Sequence, residues 1–237
     1  MNLLLVEAHQ FVDADHVVVT GPALYHLREV LDVRSGNLVR VGQLGGLMGH
    51  GRVKKITAAE AMLRVEFDQP PPAKLPLRLL LALPRPKAAR RLLRTIAEIG
   101  VSELVLLNCW KVEKSYWSSP LLTPDAVRAA LLDGLQQARD TVLPTVRCER
   151  RFKPFVEDEL PGLIAGTTAL VAHPGDHAPC PVALNAPATL AIGPEGGFTP
   201  YEIGKLTEAG FTPVQLGERI LRTESALPAL ISRLFAL

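Results

Sequence analysis

The chain has 237 residues, 48% of them apolar and 21% charged, with a formal net charge of +2. That composition excludes general disorder and supplies enough core for one large or two modest domains. No run approaches the roughly eighteen uninterrupted apolar residues of a spanning helix, and Glu7 cuts short the apolar opening Met1–Val6. That opening predicts a first strand, not a cleaved leader, and a cytoplasmic protein with no membrane partner.

Short β-branched segments follow at Val17–Val19, Leu38–Val41, Gly51–Ile56 and Ala61–Phe67, separated by turn residues as in a small β-barrel. One helix interrupts them, Pro22–Leu31, with Leu24, Leu27, Val30 and Leu31 on one face. The glycines at 42, 45, 46, 49 and 51 are followed by no Lys-Ser/Thr and fit no dinucleotide spacing. They predict a glycine-rich hairpin turn.

Pro70, Pro71, Pro72 and Pro76 form a stiff connector that divides the chain near residue 72. Residues 1–72 carry 7 Lys/Arg against 8 Asp/Glu, and residues 73–237 carry 19 against 16. Neither part is strongly basic, so any nucleic-acid surface must be local. Beyond the connector, strands and helices alternate: strand Leu77–Leu83, helix Pro86–Ile99, strand Val101–Leu107, helix Pro124–Gln137, then strands at 169–172 and 189–192. Helix Glu202–Ala209, strand Val214–Leu216 and a last helix complete the series, which predicts a mostly parallel α/β sheet.

The helix 86–99 carries Lys87, Arg90, Arg91 and Arg94 as one stripe, and Arg85 extends it. A solvated helix face and a phosphate-binding surface both fit this pattern. Farther along, strand 189–192 runs into Gly193-Pro194-Glu195-Gly196-Gly197-Phe198, a loop in which glycine permits close backbone approach to a ligand. Strand 214–216 leads into Gly217-Glu218-Arg219-Ile220-Leu221-Arg222, and strand 169–172 into His173-Pro174-Gly175. Three such strand-end loops can meet around one ligand.

Cys109, Cys148 and Cys180 are odd in number and widely spaced, so neither a disulfide framework nor a metal knuckle is expected. His173 and His177 bracket a Pro-Gly pair and cannot share a helix face as zinc ligands do. No metal is expected.

The series IGPEGGF at 192–198 with Glu202, followed by LGERILRTESA at 216–226, resembles the ribosomal RNA small subunit methyltransferase E family, uridine-N3 methyltransferases of the SPOUT class. Tyr25–Leu31 resembles that family's histidine-leucine helix, and Glu98–Val101 matches the segment after its basic helix. The resemblance implies a PUA-like, RNA-binding β-barrel at 1–72, then an α/β trefoil-knotted SPOUT methyltransferase domain at 73–237. It implies a homodimer, S-adenosylmethionine as cofactor, and small-subunit ribosomal RNA or the assembled 30S subunit as partner. The cofactor-binding residues carried over are His173, Pro174, Gly193, Glu195, Gly197, Leu216, Gly217, Ile220, Leu221 and Arg222.

Methylating uridine N3 requires loss of its proton, hence a base or cations that stabilise the developing anion. Arg219, Arg222 and Glu224 are the catalytic candidates, while Arg28, Arg85, Lys87, Arg90, Arg91, Arg94 and Arg139 are the RNA-binding candidates. N3 chemistry needs no cysteine nucleophile, so Cys109 reads as core. Segments 108–117 and 135–139 depart from the family pattern, and Trp110, Tyr116 and Trp117 in the former can stack on a base or pack in an interface. A methyltransferase acting on another RNA site or atom, such as a ribose 2′-hydroxyl, and a non-catalytic RNA-binding protein are the competing readings.

Overall fold

In the computed structural model, which describes residues 2–236, the first five strands are β1 (Leu4–Val6), β2 (His16–Val19), β3 (Leu38–Gln43), β4 (Met48–Ile56) and β5 (Ala61–Gln69). Burial alternates along β4 and β5, as it does in a sheet with one face in water. They form one sheet in the order β1-β3-β4-β5-β2, antiparallel except for the β1–β3 pair. Leu4, Val6, Val17, Val19, Val41, Val53, Leu63 and Val65 make its core, closed by Leu24 and Leu27. Of the five clustered glycines only Gly45 and Gly46 lie in the turn; Gly42 is in β3, and Gly49 and Gly51 are in β4.

The helix expected over Pro22–Leu31 divides in two. α1 (Gly21–Tyr25) passes into a π turn, His26–Val30, closed by Leu31 N–H donating to the His26 carbonyl. The wider turn rotates its last residues off the buried face. Leu24 and Leu27 are buried, while Val30 and Leu31 are 59% and 46% exposed.

The central strands of the second sheet are apolar runs, buried along most of their length. In chain order the elements are β6 (Leu75–Ala82), α2 (Pro86–Ile99), β7 (Val101–Leu107), α3 (Pro124–Ala138) and β8 (Thr145–Glu149). A helical stretch follows, α4 (Phe152–Pro154), a π turn at Phe155–Glu159 and α5 (Leu160–Ile164). Then come β9 (Thr168–Ala172), β10 (Ala178–Pro179), β11 (Ala188–Ile192), α6 (Pro200–Glu208), β12 (Thr212–Gln215) and α7 (Thr223–Leu234). All ladders are parallel, in the order β10-β12-β9-β11-β6-β7-β8. β11 is buried along its whole length, with Leu190 opposite Leu79 on one side and Leu170 on the other.

The chain divides into two units, Met1–Ala73 with Leu131–Leu143, and Lys74–Ala130 with Pro144–Leu237. The prolines predict a single domain from residue 73 onward; the structure groups Leu131–Leu143 with the N-terminal strands instead. Among the described residues, no helix is long and apolar enough to cross a membrane.

Candidate functional site

Because β12, β9 and β11 are parallel neighbours, their C-terminal ends share one edge of the sheet, where open α/β sheets bind ligands. The three loops leaving those ends enclose a cavity of about 480 Å³. His173 and Pro174 line it from the first loop, and Gly193, Glu195 and Gly197 from the second. Leu216, Gly217, Arg219, Ile220 and Leu221 line it from the third. All of these are residues that the sequence motifs mark, and the fold brings them together.

Local chemistry fixes these loops. Gly197 N–H donates to the Pro194 carbonyl (2.8 Å), closing the second loop. A Cβ on Gly193 would lie 3.0 Å from both the Phe198 ring and its backbone nitrogen. Thr199 then caps α6: its hydroxyl accepts from Glu202 N–H, and Glu202 Oε2 accepts from Thr199 N–H at 2.8 Å. In the third loop Gly217 has φ +117°, a conformation that L side chains rarely adopt.

Arg222 and Glu224 do not line the cavity. Arg222 is the N-cap of α7 and makes no side-chain cap bond, and Glu224 in the first turn is bonded to Arg91. Pro228 lies inside the helix, offering no N–H to the Glu224 carbonyl.

The basic stripe is partly committed within the protein. Arg85 donates its backbone N–H to Glu195 Oε1 at 3.1 Å and brings its side chain within 3.4 Å of the same oxygen. Arg94 is half-buried, while Lys87 and Arg90 are exposed. In the N-terminal unit, Arg28 lies in the π turn 3.5 Å from Glu29, and Arg139 follows α3 with φ +58°.

Lys111 is a cavity residue that no sequence motif marks. It follows β7, whose end shares the same edge of the sheet, so the topology was its only signal. Its Nζ donates to the Gly196 carbonyl at 2.7 Å. Just before it, Trp110 N–H donates to Glu202 Oε1 at 2.7 Å, so one buried carboxylate caps α6 and anchors the loop after β7. Cys109 is buried, and burial, then the charge and hydrogen bond of Glu202, push its thiol pKa far up. It is an inert core residue.

His173 and His177 do approach, with ring centroids 5.5 Å apart. Burial, then the neighbouring charges of His177 and Lys111, lower the His173 pKa, so the imidazole is neutral at pH 7. Its Nδ1 is buried without a hydrogen-bond partner among the described residues. The one group of three metal-type ligands among the described residues is Asp13, Asp15 and His16, within 4.8 Å of one another. His16 already bonds both carboxylates, and Arg64 bonds Asp15.

The family model for the RNA methyltransferase domain matches residues 71–235. The chain is 28% identical to a ribosomal RNA small subunit methyltransferase E of Treponema pallidum, over 95% of its own length and 87% of that protein's. It is 28% identical to the Synechocystis protein of the same name, over 99% and 77% of the respective lengths. Its fold is similar to that of the Neisseria gonorrhoeae ribosomal RNA small subunit methyltransferase E solved with S-adenosyl methionine, with TM-score 0.74, 21% identity and coverage of 98% and 96%. A methyltransferase of Legionella pneumophila, solved with the bound cofactor SAM, gives TM-score 0.75, 20% identity and coverage of 98% and 96%. The match of the family model over most of the chain, on the part of the fold that builds the three-loop cavity, shows that this chain belongs to the RNA methyltransferase domain family.

Proposed function

We propose that this chain methylates N3 of a uridine in small-subunit ribosomal RNA, using S-adenosylmethionine held in the three-loop cavity. The observation that carries this reading is the convergence of the β9, β11 and β12 loops on one cavity of about 480 Å³ within the family's own region. The names of the relatives support the RNA, and the neighbours solved with the cofactor support the ligand.

The residues present fit such a group. Glycine backbone and apolar side chains line the space, and the buried, unpartnered Nδ1 of His173 gives a polar ligand atom a place to bond. A neutral His173 also spares a sulfonium a like charge. When bound, the cofactor supplies an electrophilic methyl carbon, so orientation contributes much of the rate.

The chain's own residues then act on the uridine. As the N3 proton passes to solvent water, negative charge spreads toward O2 and O4, and Arg219 on the cavity wall, with Arg222 at the start of α7, stabilises that charge. In this reading Glu195 and Glu224, each engaged by an arginine, hold the loops in place. The non-sequential order β12-β9-β11-β6 supports a trefoil knot, and the five-stranded sheet supports a PUA-like RNA-binding barrel that includes Arg28 and Arg139. The same reading makes the protein a cytoplasmic homodimer acting on free ribosomal RNA or the assembled 30S subunit.

The test is nucleoside mass spectrometry of small-subunit ribosomal RNA incubated with purified protein and labelled S-adenosylmethionine. Labelled 3-methyluridine is expected. A 2′-O-methylated nucleoside would move the reading to another atom, and bound cofactor with no transfer to RNA would overturn it.

A further inference from the structure

Three aromatic side chains follow β7, and the structure separates them. Trp117 is used within the protein: its Nε1 donates to Asn108 Oδ1 at 2.9 Å, and the Arg150 guanidinium lies over its ring at 5.2 Å. Tyr116 is half-buried. Trp110 is 84% exposed, an unusual state for a side chain with so much apolar area.

Its backbone, by contrast, is fixed. Trp110 N–H is held by Glu202, a carboxylate 3% exposed that also accepts from Thr199 N–H at 2.8 Å and its hydroxyl at 2.9 Å. Val112 N–H donates to the Cys109 carbonyl at 3.0 Å, closing the turn that contains Trp110. Lys111 straps the same turn to Gly196 on the cavity wall, packed so closely that a Cβ on Gly196 would lie 2.9 Å from its Cδ. A rigid backbone thus presents an uncovered indole one residue from the cavity.

We propose that Trp110 is a stacking platform for an unpaired base of the RNA substrate at the mouth of the cavity. The charge around it selects that occupant over an apolar protein face. Lys111 and Lys114 follow the indole in sequence, with the single acid Glu113 between them, and Arg150 covers the neighbouring Trp117. Cations beside an aromatic face are what a single strand needs, the cations for phosphates and the ring for a base. A backbone fixed in advance leaves little ordering for binding to supply. The location of the reacting nucleotide rests on the methyltransferase reading; the stacking does not.

The probe is a fluorescein-labelled single-stranded oligouridylate, titrated at fixed salt against wild type, Trp110→Ala and Trp110→Phe. The alanine variant is expected to weaken binding about 5- to 150-fold, the range that base–aromatic stacking supports. Phenylalanine should restore most of it, with S-adenosylmethionine affinity and the slope of affinity on salt unchanged. Unlabelled oligouridylate should quench wild-type tryptophan emission, and Trp110→Phe, which retains only the shielded Trp117, should lose that quenching. Undiminished binding by Trp110→Ala would overturn the proposal. So would a change of oligomeric state on that substitution, seen by sedimentation without RNA, because the indole would then belong to an interface between copies. A wild-type protein that binds no S-adenosylmethionine would sink the methyltransferase reading while leaving the quenching result to decide the platform.

Discussion

The guanidinium of Arg91, on the basic face of α2, bonds to the carboxylate of Glu224 in the first turn of α7. Glu195 in the glycine loop holds Arg85 through its backbone N–H and an ion pair with its guanidinium at 3.4 Å. Two of the five clustered charges therefore tie α2 to cavity-bearing segments, while Lys87 and Arg90 are exposed with no ion-pair partner among the described residues. The double variant Lys87→Ala/Arg90→Ala should weaken RNA binding and lower the slope of log affinity on log salt by about 0.7 for each phosphate no longer neutralised. Arg91→Ala, removing a pair whose arginine is largely exposed, should cost no more than about 1 kcal/mol of stability. Filter binding across a salt series and urea unfolding read the two effects, and an unchanged slope would make the stripe a solvated face.

Gly193→Val should abolish S-adenosylmethionine binding, because even the first added carbon meets Phe198 at 3.0 Å. The fold should survive with a moderate loss, about 1–3 kcal/mol for a crowded position. Isothermal titration with a parallel thermal melt checks both, and retained affinity would remove the second loop from the binding site.

Burial lowers the pKa of His26 and, with His177 and Lys111, that of His173, each from 6.5. The unfolded chain takes up these protons as the pH drops below 6.5, and the folded chain does so only at lower pH. Stability present above pH 6.5 should therefore decline as the pH falls through the lowered folded values. His173→Gln should flatten that decline. Melting temperatures measured from neutral pH to about pH 5 will show it; equal slopes for variant and wild type would contradict the assignment.

Glu202→Ala should destabilise the protein by about 3 kcal/mol in urea unfolding, since it strands the N–H groups of Trp110 and Thr199 and removes a helix cap. Glu202→Gln, which keeps one acceptor oxygen, should lose about half as much. Equal losses for the two variants would mean that the charge matters, not the bonding.

The boundaries of α2 and β7 match the sequence reading to the residue, because Pro86 opens the helix, Gly100 closes it with φ +84°, and a continuous apolar run defines the strand. Edge strand β8 and the helical stretch from α4 to α5 escaped it. β8 is a short, partly exposed strand with neither a clear alternation nor an apolar run, and the helical stretch is broken by Pro154, Pro161 and a π turn. The apolar period predicts the helix over Pro22–Leu31 but not its buried face, since a π turn leaves no mark in that period.

Length, composition and near-neutral charge set the outer limits of this protein. Its local signals, proline and glycine punctuation and apolar periodicity, determined most of its elements and the three loops that line the cavity. Only the tertiary structure decided which residues meet. The order β12-β9-β11 places the ends of strands far apart in sequence on one edge, and those pairings are set by side-chain packing between strands rather than by any local pattern. The same long-range packing took Arg91 and Arg85 into ion pairs, brought Lys111 to the cavity wall, and left Trp110 in water. A net charge of +2 could not have distinguished a cation bonded within the fold from one free to meet a phosphate.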